Sequence, residues 1–520
     1  MKTLSTCCLL ALLSFMRCGP GLQAGEPAVH KVFAAGEVPP DSRLGEQRTL
    51  NTFHQWTPPT TKAAWEREST RMRQQILVSN GLWPMPVKHP LKPVIHGKID
   101  RGDYTVEKVF FASHPGHYVS GNLYKPKKIE GKIPGVLSPH GHWANGRFYD
   151  AGEKKAIDQL GKGAEEFMSG ARFPLQARMA HLARMGCVVF HYDMVGNADS
   201  KQFAHRAGFT DAEAGLRLQN FMGLQTFNSI RALDFLLSLP EVDAERIGVT
   251  GASGGGTQTF MIGAIDPRPA VAFPAVMVST EMQGGCVCEN AELLRLGLNN
   301  VAVAALFAPR PLAMSGADDW TVRLETRGLP ELKQVYSHYG KASSIQVSVF
   351  AQFKHNYNQV SREVMYAWFN EHLQLGYADV ANDQDFWPID PKNLTVYDAK
   401  HPLPDDAKSS EQLRESLTEA SNQQFTKLIP KNKEQLAEYR RVVGTAAGVM
   451  LDSGKVEEIE LETSNASEEP FGDELKILRG TLSRKGAGEA VPYVALVPET
   501  FNGKAVLWVN DKGKSHCSMN

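Results

Sequence analysis

The sequence is poor in cysteine, carries almost no net charge and, beyond its first residues, contains no long apolar run. Lysine and arginine (56) nearly balance aspartate and glutamate (57), so the 520 residues carry a net charge of −1. This balance gives no indication of a nucleic-acid or anionic-membrane partner, which would require a basic patch. With 42% hydrophobic and 22% charged residues, the composition is typical of a soluble globular protein. The length predicts two or more domains.

A short apolar run occupies the N-terminus. Lys2 precedes the apolar residues 7–13, and Ala24 offers a small residue at a cleavage point before Gly25. A positive residue, a short apolar core and a small residue in this order are typical of a secretory signal peptide. We therefore expect residues 1–24 to be removed, which predicts a secreted or periplasmic protein without a membrane span. An uncleaved membrane anchor is the alternative, although the run is short for a bilayer.

The cysteines that would remain after cleavage are too few for a disulfide framework. They are Cys187, Cys286, Cys288 and Cys517, and Cys187 lies in an apolar run that predicts a buried small hydrophobic residue. Cys286 and Cys288 form a C-x-C pair with no second Cys or His pair at metal-ligand spacing. The sequence therefore predicts no metal site and no cofactor. Two free thiols are expected at the pair, with a local disulfide as the alternative.

Strand and helix patterns alternate from about residue 104 onward. Apolar stretches predict strands, the first two of them paired, at residues 106–111, 118–124, 133–138, 187–192, 246–250, 311–315 and 344–350. Helical patterns fall between them, at residues 175–185, 218–239, 257–265 and 361–375. Strands that alternate with helices predict a mostly parallel, doubly wound α/β sheet with helices on both faces.

The segments on either side of this predicted domain, which spans residues 101–376, differ from it in composition. An N-terminal arm with one helix at residues 61–77 is predicted for residues 25–100. A polar, partly helical connector is predicted for residues 377–455. Neither segment has the alternating pattern of the central domain, and the arm is predicted to pack on that domain.

The C-terminal residues repeat a pattern found earlier in the chain. Residues 494–510, like residues 121–138, contain a strand that ends in a proline, a short polar turn and an apolar strand. We expect residues 456–520 to begin a second domain of the same kind, truncated before it is complete. An appended β-rich module and a chance likeness of two strand pairs are the alternatives.

Small residues surround Ser253 in the segment Gly251-Ala252-Ser253-Gly254-Gly255. The segment follows an apolar strand and precedes a helix-compatible stretch, which is the context of a nucleophile elbow. Small neighbours suit the strained backbone of such a turn. A phosphate-binding loop would need a different glycine spacing, which the segment lacks. The pattern therefore predicts that Ser253 attacks an ester carbonyl.

A serine hydroxyl becomes nucleophilic when an oriented base takes its proton. In hydrolases with this elbow, the acid and then the histidine follow the serine along the chain. Asp318 and Asp319 come shortly after the predicted strand at residues 311–315, and we expect Asp319 to orient the base, with Asp318 as the alternative. His355 follows the last predicted strand and is the expected base.

Acyl transfer also needs two N–H donors aimed at the developing oxyanion. The predicted donors are the amides of Gly254 and of His142, which lies in the loop after the third predicted strand. Trp143 and Trp320 are predicted to bind substrate, and the side chain of His142 is a further candidate for the pocket wall. The insertion at residues 144–173, rich in glycine and charge, is a candidate lid.

Together these segments resemble the α/β-hydrolase superfamily, and within it exported bacterial esterases of the acetyl xylan esterase and dienelactone-hydrolase-like kind. The resemblance covers about residues 100–376 and rests also on His140-Gly141-His142 and on residues 192–196 and 233–236. It implies an α/β-hydrolase fold, an acyl-enzyme intermediate and release of acetyl or other short acyl groups from plant polysaccharide such as xylan. It says little about either end of the chain.

Two features depart from that pattern. Gly254 stands where many acetyl xylan esterases carry Gln, and residues 283–290 match no motif that we can assign. A serine peptidase of the prolyl-oligopeptidase type is an alternative, although the ~75 residues after the signal are too few for a β-propeller. A non-catalytic carbohydrate-binding module on a hydrolase scaffold is another, although all three predicted catalytic residues are present. The sequence leaves the oligomeric state open.

Overall fold

A nine-stranded mixed sheet organises the larger of two units into which the chain divides. The computed structural model describes residues 31–34, 36–378, 383–451, 460–510 and 513–514. The larger unit falls within Arg48–Gly454, and the smaller within Met1–Gln47 and Lys455–Asn520. The predicted signal segment, residues 1–24, lies outside the described residues, as does Cys517. None of the described helices is long and apolar enough to cross a membrane.

The large sheet combines an antiparallel meander with a parallel region. Its strands are β1 Val94–Asp100, β2 Tyr104–His114, β3 His117–Pro126, β4 Ile133–Pro139, β5 Val188–Tyr192, β6 Val242–Ala252, β7 Val271–Ala275, β8 Leu312–Ala317 and β9 Ile345–Phe350. Their order is β1-β2-β3-β5-β4-β6-β7-β8-β9. The pairs from β1 to β3 and the β3–β5 pair are antiparallel, and the remaining pairs are parallel. The predicted mostly parallel sheet is confirmed.

Helices cover both faces of this sheet. They are α1 Lys62–Ser79, α2 Glu153–Gly161, α3 Met168–Arg172, α4 Pro174–Arg184, α5 Ala212–Leu216, α6 Phe221–Ser238, α7 Gly254–Ile265, α8 Asn300–Ala305, α9 Leu329–Ser337, α10 Gln359–His372, α11 Pro391–Leu394, α12 Ser410–Leu428 and α13 Lys433–Met450. Residues of α4 and α10 pack together in one core cluster with β4, β5 and β7. Residues of α1, α7, α8 and α9 share a second cluster, and α6 packs on β5 and β6 in a third. The sheet is thus buried between two helical layers, as a doubly wound fold requires.

Burial explains why the central strands could be found in the sequence. All five residues of β5 are buried, as are the last six of β6, because helices cover a parallel strand on both faces. The side chain of Asn220 caps α6 by accepting a hydrogen bond from Gly223 N at 2.8 Å.

Strand β7 was not predicted, because Pro274 interrupts its short apolar run and proline weakens a strand pattern.

The segments flanking the central domain are more structured than the sequence suggests. Strand β1 extends the sheet upstream of residue 101, and helix α1 confirms the one helix predicted before it. The segment after α10, for which a partly helical connector was predicted, contains the two long helices α12 and α13. Leu413 of α12 is fully buried beside Phe209 and Phe221, so this segment packs as part of the larger unit.

The smaller unit contains a three-stranded antiparallel sheet. Its strands, in spatial order, are β10 Leu461–Phe471, β11 Leu475–Arg484 and β12 Val491–Pro498. Ser42 N donates to Gly488 O at 2.8 Å and Ala490 N to Asp41 Oδ2 at 3.0 Å, so part of the predicted arm belongs to this unit. Two contacts of this kind could not be anticipated from sequence, because more than 400 residues separate the partners.

The apolar strand predicted near residue 506 does not form. Val506 and Leu507 are 93% and 90% exposed, and residues 504–510 pair with no strand of the described part of the chain. In the larger unit the corresponding strand, β4, lies between β5 and β6. Among the described residues of the smaller unit there is no counterpart of either neighbour. That residues 456–520 begin a second hydrolase-like domain remains a prediction.

Candidate active site

Ser253 lies on a sharp turn between the end of β6 and the start of α7. Its backbone has φ 58° and ψ −125°, a conformation that a non-glycine residue holds only when its surroundings enforce it. The surroundings are tight: a Cβ added to Gly251 or Gly255 would lie 2.5 or 2.4 Å from Pro139 O. Small residues are therefore needed because the turn packs directly on the end of β4.

Asp319 and His355 are brought together by the loops after β8 and β9. Asp319 Oδ2 accepts a hydrogen bond from His355 Nδ1 at 2.7 Å. Asp319 Oδ1 accepts two more, from Thr321 N at 2.7 Å and Thr321 Oγ1 at 2.5 Å. The Asp319 side chain is 6% exposed and that of His355 is 27% exposed. The carboxylate is thus fixed on both oxygens, and the ring of Trp320 packs on His355 with centroids 4.7 Å apart.

Asp318 takes no part in this pair. Its Oδ2 forms an ion pair with Lys354 Nζ, and the two side chains are 47% and 86% exposed. Its backbone N–H donates to Phe353 O at 2.7 Å, which joins the two loops. Neighbouring side chains diverge, so the contact of Asp319 with His355 leaves Asp318 facing solvent.

The loop after β4 passes directly over the serine turn. A Cβ added to Gly141 would lie 2.8 Å from Ser253 Cβ and 3.2 Å from Gly254 N. The buried ring of His140 braces this loop, because its Nδ1 lies 2.8 Å from Gly141 O and its Nε2 accepts from Met194 N at 3.0 Å. The backbone of the loop therefore packs directly against the turn that carries Ser253.

A buried ion-pair network fixes the start of the predicted lid. Arg147 Nε lies 2.8 Å from Asp193 Oδ1, and its guanidinium also contacts Asp199. Asp193 Oδ2 accepts a hydrogen bond from Ser120 Oγ at 2.7 Å. Burial raises the pKa of Asp193 to about 6, against the opposing pull of Arg147. Asp193, within the segment 192–196 that resembles a superfamily motif, thus anchors Arg147 of the insertion.

A cavity of about 370 Å³ opens beside His355. Trp143 lines it, with its ring centroid 5.5 Å from that of Tyr149. Trp320 does not line this cavity and instead packs on His355. The insertion at residues 144–173 contributes much of the wall, through α2 and the turn before it. The residues from the insertion that line the cavity include Tyr149, Ala151, Lys155, Gln159, Lys162 and Glu165.

The side chain of His142 belongs to a cluster that the sequence did not reveal. Its Nε2 lies 3.3 Å from His205 Nε2 and 3.2 Å from Cys288 Sγ. His205 Nε2 lies 3.3 Å from Cys286 Sγ. Only the C-x-C pair and its unusual loop gave a signal, because the histidines are 63 residues apart from each other and belong to different loops. The four ligand-type atoms all lie within 4.8 Å of one another and could hold a metal ion.

Comparison with known proteins agrees with this architecture. Residues 181–282, which include Ser253, match the model of the acetyl xylan esterase (AXE1) family. The hydrolase YtaP of Bacillus subtilis (strain 168) is 26% identical over 280 residues, which are 51% of this chain and 88% of YtaP. Among solved structures, methylesterase BT1017 superposes with a TM-score of 0.58 at 25% identity, covering 71% of this chain and 77% of its own.

The sheet order and the strand-to-helix turn at Ser253 are those of the α/β-hydrolase fold. The family match and the relatives make it a carboxylic-ester hydrolase, similar over its central part to acetyl xylan esterases.

Proposed function

We propose that the protein is a secreted serine esterase in which Ser253, His355 and Asp319 form the catalytic triad. The observation that supports this most is the 2.7 Å hydrogen bond between His355 Nδ1 and Asp319 Oδ2, at the same edge of the parallel sheet as the strained turn that carries Ser253. A carboxylate can only accept, so Nδ1 carries the hydrogen and Nε2 keeps the lone pair that a general base needs. Export rests on the predicted signal at residues 1–24.

The reaction would proceed in two steps through an acyl-enzyme. Ser253 Oγ attacks the ester carbonyl while His355 Nε2 takes its proton and then delivers it to the leaving alcohol. A water molecule then attacks the acyl-serine while the same histidine takes its proton, and this proton passes to Ser253 Oγ as the carboxylic acid is released. The amides of Gly254 and His142 are the proposed oxyanion donors, because the loop at Gly141 passes within van der Waals distance of the turn.

The proposed substrate is an acetylated plant polysaccharide such as xylan. The family match supports an acetyl ester, and the cavity beside His355 offers the rings of Trp143 and Tyr149, tilted against each other, as an apolar wall. Most binding pockets combine such rings with a few polar groups that set orientation.

One observation favours a second candidate, the methyl ester of an acidic carbohydrate. Three lysines line the cavity, Lys155, Lys162 and Lys354, and the ammonium of Lys155 lies 2.9 Å from the hydroxyl of Tyr149. Positive charge in a cleft attracts anionic substrates. The likeness to methylesterase BT1017 supports the same candidate.

Two experiments test these proposals. Ser253→Ala should abolish hydrolysis of p-nitrophenyl acetate without loss of the folded state, and turnover retained by that variant would exclude Ser253 as the nucleophile. Acetate released from acetylated xylan should then be compared with methanol released from methyl-esterified pectin, which separates the two substrate candidates. Cleavage of Gly-Pro peptides in place of both would show a peptidase, and hydrolysis of none of these would point to a non-catalytic module.

A further inference from the structure

We propose that His142, His205, Cys286 and Cys288 bind one Zn²⁺ ion beside the nucleophile turn, and that this ion holds the oxyanion loop in place. The binding of metal does not depend on the proposed function, whereas the effect on the oxyanion loop does. The four ligand atoms come from three loops, which follow β4, β5 and β7.

Three distances within the cluster are close to those of a tetrahedral site: the nitrogen–nitrogen distance matches, and two nitrogen–sulfur distances are about 0.3–0.4 Å shorter. Tetrahedral Zn²⁺, with Zn–N of about 2.0–2.1 Å and Zn–S of about 2.3 Å, separates two nitrogens by about 3.3 Å and a nitrogen from a sulfur by about 3.6 Å. The two Nε2 atoms are 3.3 Å apart. The two nitrogen–sulfur distances are 3.3 Å, for His205 and Cys286, and 3.2 Å, for His142 and Cys288.

The Nδ1 atoms of both histidines, which are the ring nitrogens outside the cluster, face oxygen acceptors. His205 Nδ1 lies 2.6 Å from Val195 O, and a carbonyl oxygen can only accept. His142 Nδ1 lies 3.4 Å from Glu289 Oε1. Each ring therefore directs its Nε2 lone pair into the cluster when it is neutral, which is how second-sphere oxygens orient metal-bound histidines. Two such lone pairs facing each other at 3.3 Å repel, and either a metal cation between them or a proton on one nitrogen removes that repulsion.

The cysteines are suited to act as thiolate ligands. Cys286 and Cys288 are only 8% and 1% exposed, so solvent does not compete for their sulfur atoms. Arg206 Nε donates to Cys286 Sγ at 3.2 Å, which favours the thiolate. Two thiolates also neutralise a divalent ion, which lowers the cost of burying its charge.

The donor set selects the metal and its role. Tetrahedral sites with two sulfur and two nitrogen ligands are typical of zinc. Four protein ligands leave no open position, which indicates a structural site rather than one that activates water. The ion would tie the loop of His142 to two others and so fix the backbone amide that is proposed to bind the oxyanion.

The position of the cluster explains both departures from the superfamily pattern. A Cβ added to Gly254 would lie 2.8 Å from Met194 Cε, 3.1 Å from Glu289 Oε1 and 3.4 Å from His142 Cε1. A glutamine at this position would therefore collide with the cluster and its neighbours. The loop at residues 283–290, which matches no motif, supplies both cysteines and Glu289.

Metal content is the first test. The full chain, produced in zinc-supplemented medium and dialysed, should contain about one zinc per molecule by inductively coupled plasma mass spectrometry. The double variant Cys286→Ser/Cys288→Ser should contain less than a tenth of that, while Cys187→Ser, which removes a buried cysteine from another part of the core, should keep the full amount. If the double variant does not fold, His205→Gln provides the same comparison with both thiols present.

Cobalt substitution and thiol chemistry are the second test. Co²⁺ in the wild-type site should give thiolate-to-metal charge-transfer absorption and the visible bands of tetrahedral cobalt, both absent from the double variant. A folded wild type that takes up neither zinc nor cobalt would overturn the proposal, as would a Cys286–Cys288 disulfide found by mass spectrometry in the freshly purified protein. None of these measurements uses esterase activity, so they stand if the proposed function fails.

A separate measurement, kcat after removal of the metal, tests whether the ion positions the oxyanion loop. Removal of the metal with a chelator should lower kcat for p-nitrophenyl acetate by about 10²-fold or more, the effect of losing one oxyanion donor. KM should change much less, because the cavity beside His355 does not include the four ligands. Zinc should restore kcat. Unchanged kcat in a folded, metal-free enzyme would show that the ion does not position the oxyanion loop.

Discussion

Replacement of Asp319 by asparagine should cost far more activity than the same change at Asp318. Both donors of Thr321 are directed at Asp319 Oδ1, so the carbonyl oxygen of an asparagine would take that position. Its NH₂ group would then replace Oδ2 and present hydrogen to His355 Nδ1. The neutral ring would have to accept there and carry its own hydrogen on Nε2, where it could no longer take the proton of Ser253.

The expected magnitude is about 10⁴-fold in kcat, the known effect of this change in a serine triad, or about 5 kcal/mol of transition-state stabilisation. Asp318→Asn removes only an exposed ion pair with Lys354, which contributes less than about 1 kcal/mol. We therefore expect its kcat to fall by less than about threefold.

The assay is the steady-state hydrolysis of p-nitrophenyl acetate by the wild type and both single variants, with thermal unfolding measured for each. Asp318→Asn is the matched control, because it makes the same chemical change one residue away. A larger loss of kcat in Asp318→Asn than in Asp319→Asn would refute the assignment. So would an Asp319→Asn enzyme that retains a tenth or more of wild-type kcat.

Two further predictions concern stability and are measured by thermal unfolding. Arg362→Met should destabilise the larger unit by about 3–5 kcal/mol, since it leaves the buried carboxylates of Glu165 and Asp383 without their cation; unchanged melting would show that these carboxylates are neutral or hydrated. Gly255→Ala should destabilise by about 1–3 kcal/mol because its Cβ would meet a backbone oxygen at the end of β4. Gly161→Ala, with open space around its Cβ, is the control and should not destabilise.

The order of strands and helices in the central domain followed from local patterns. Buried parallel strands are short, continuous apolar runs, and the helices between them begin at caps such as Asn220. The elements that were missed lack such a pattern. Strand β1 lies at the edge of the sheet, its residues are half-buried or exposed in near alternation, and few of them are apolar. Strand β7 contains a proline. A proline in a short run indicates a loop unless the neighbouring strands are known.

The smaller unit shows where local pattern stops being sufficient. The apolar residues 505–509 have the composition of a strand, and the likeness to β4 predicted one. A strand forms only when a neighbour supplies hydrogen-bond partners and covers its side chains. Trp508, at 64% exposed, and Val509, at 82%, have neither among the described residues.

For the proposed triad, the sequence determined the candidates, and the tertiary structure shows which of the two aspartates contacts the histidine. Order along the chain and the position of loops after strands were enough to select Ser253, His355 and a pair of aspartates, because a parallel sheet brings its strand ends to one edge. Only the fold shows that Asp319 contacts His355 while Asp318 faces Lys354, since the choice depends on side-chain direction within one turn.

For the His–Cys cluster, in contrast, only the tertiary structure brings the candidate ligands together. Its residues were visible in the sequence, but their spacing matched no metal motif, so the sequence predicted none. Spacing identifies a metal site only when one loop or one helix supplies most of the ligands. Here three loops of one sheet edge supply them, and their meeting beside Gly254 is a property of the folded chain alone.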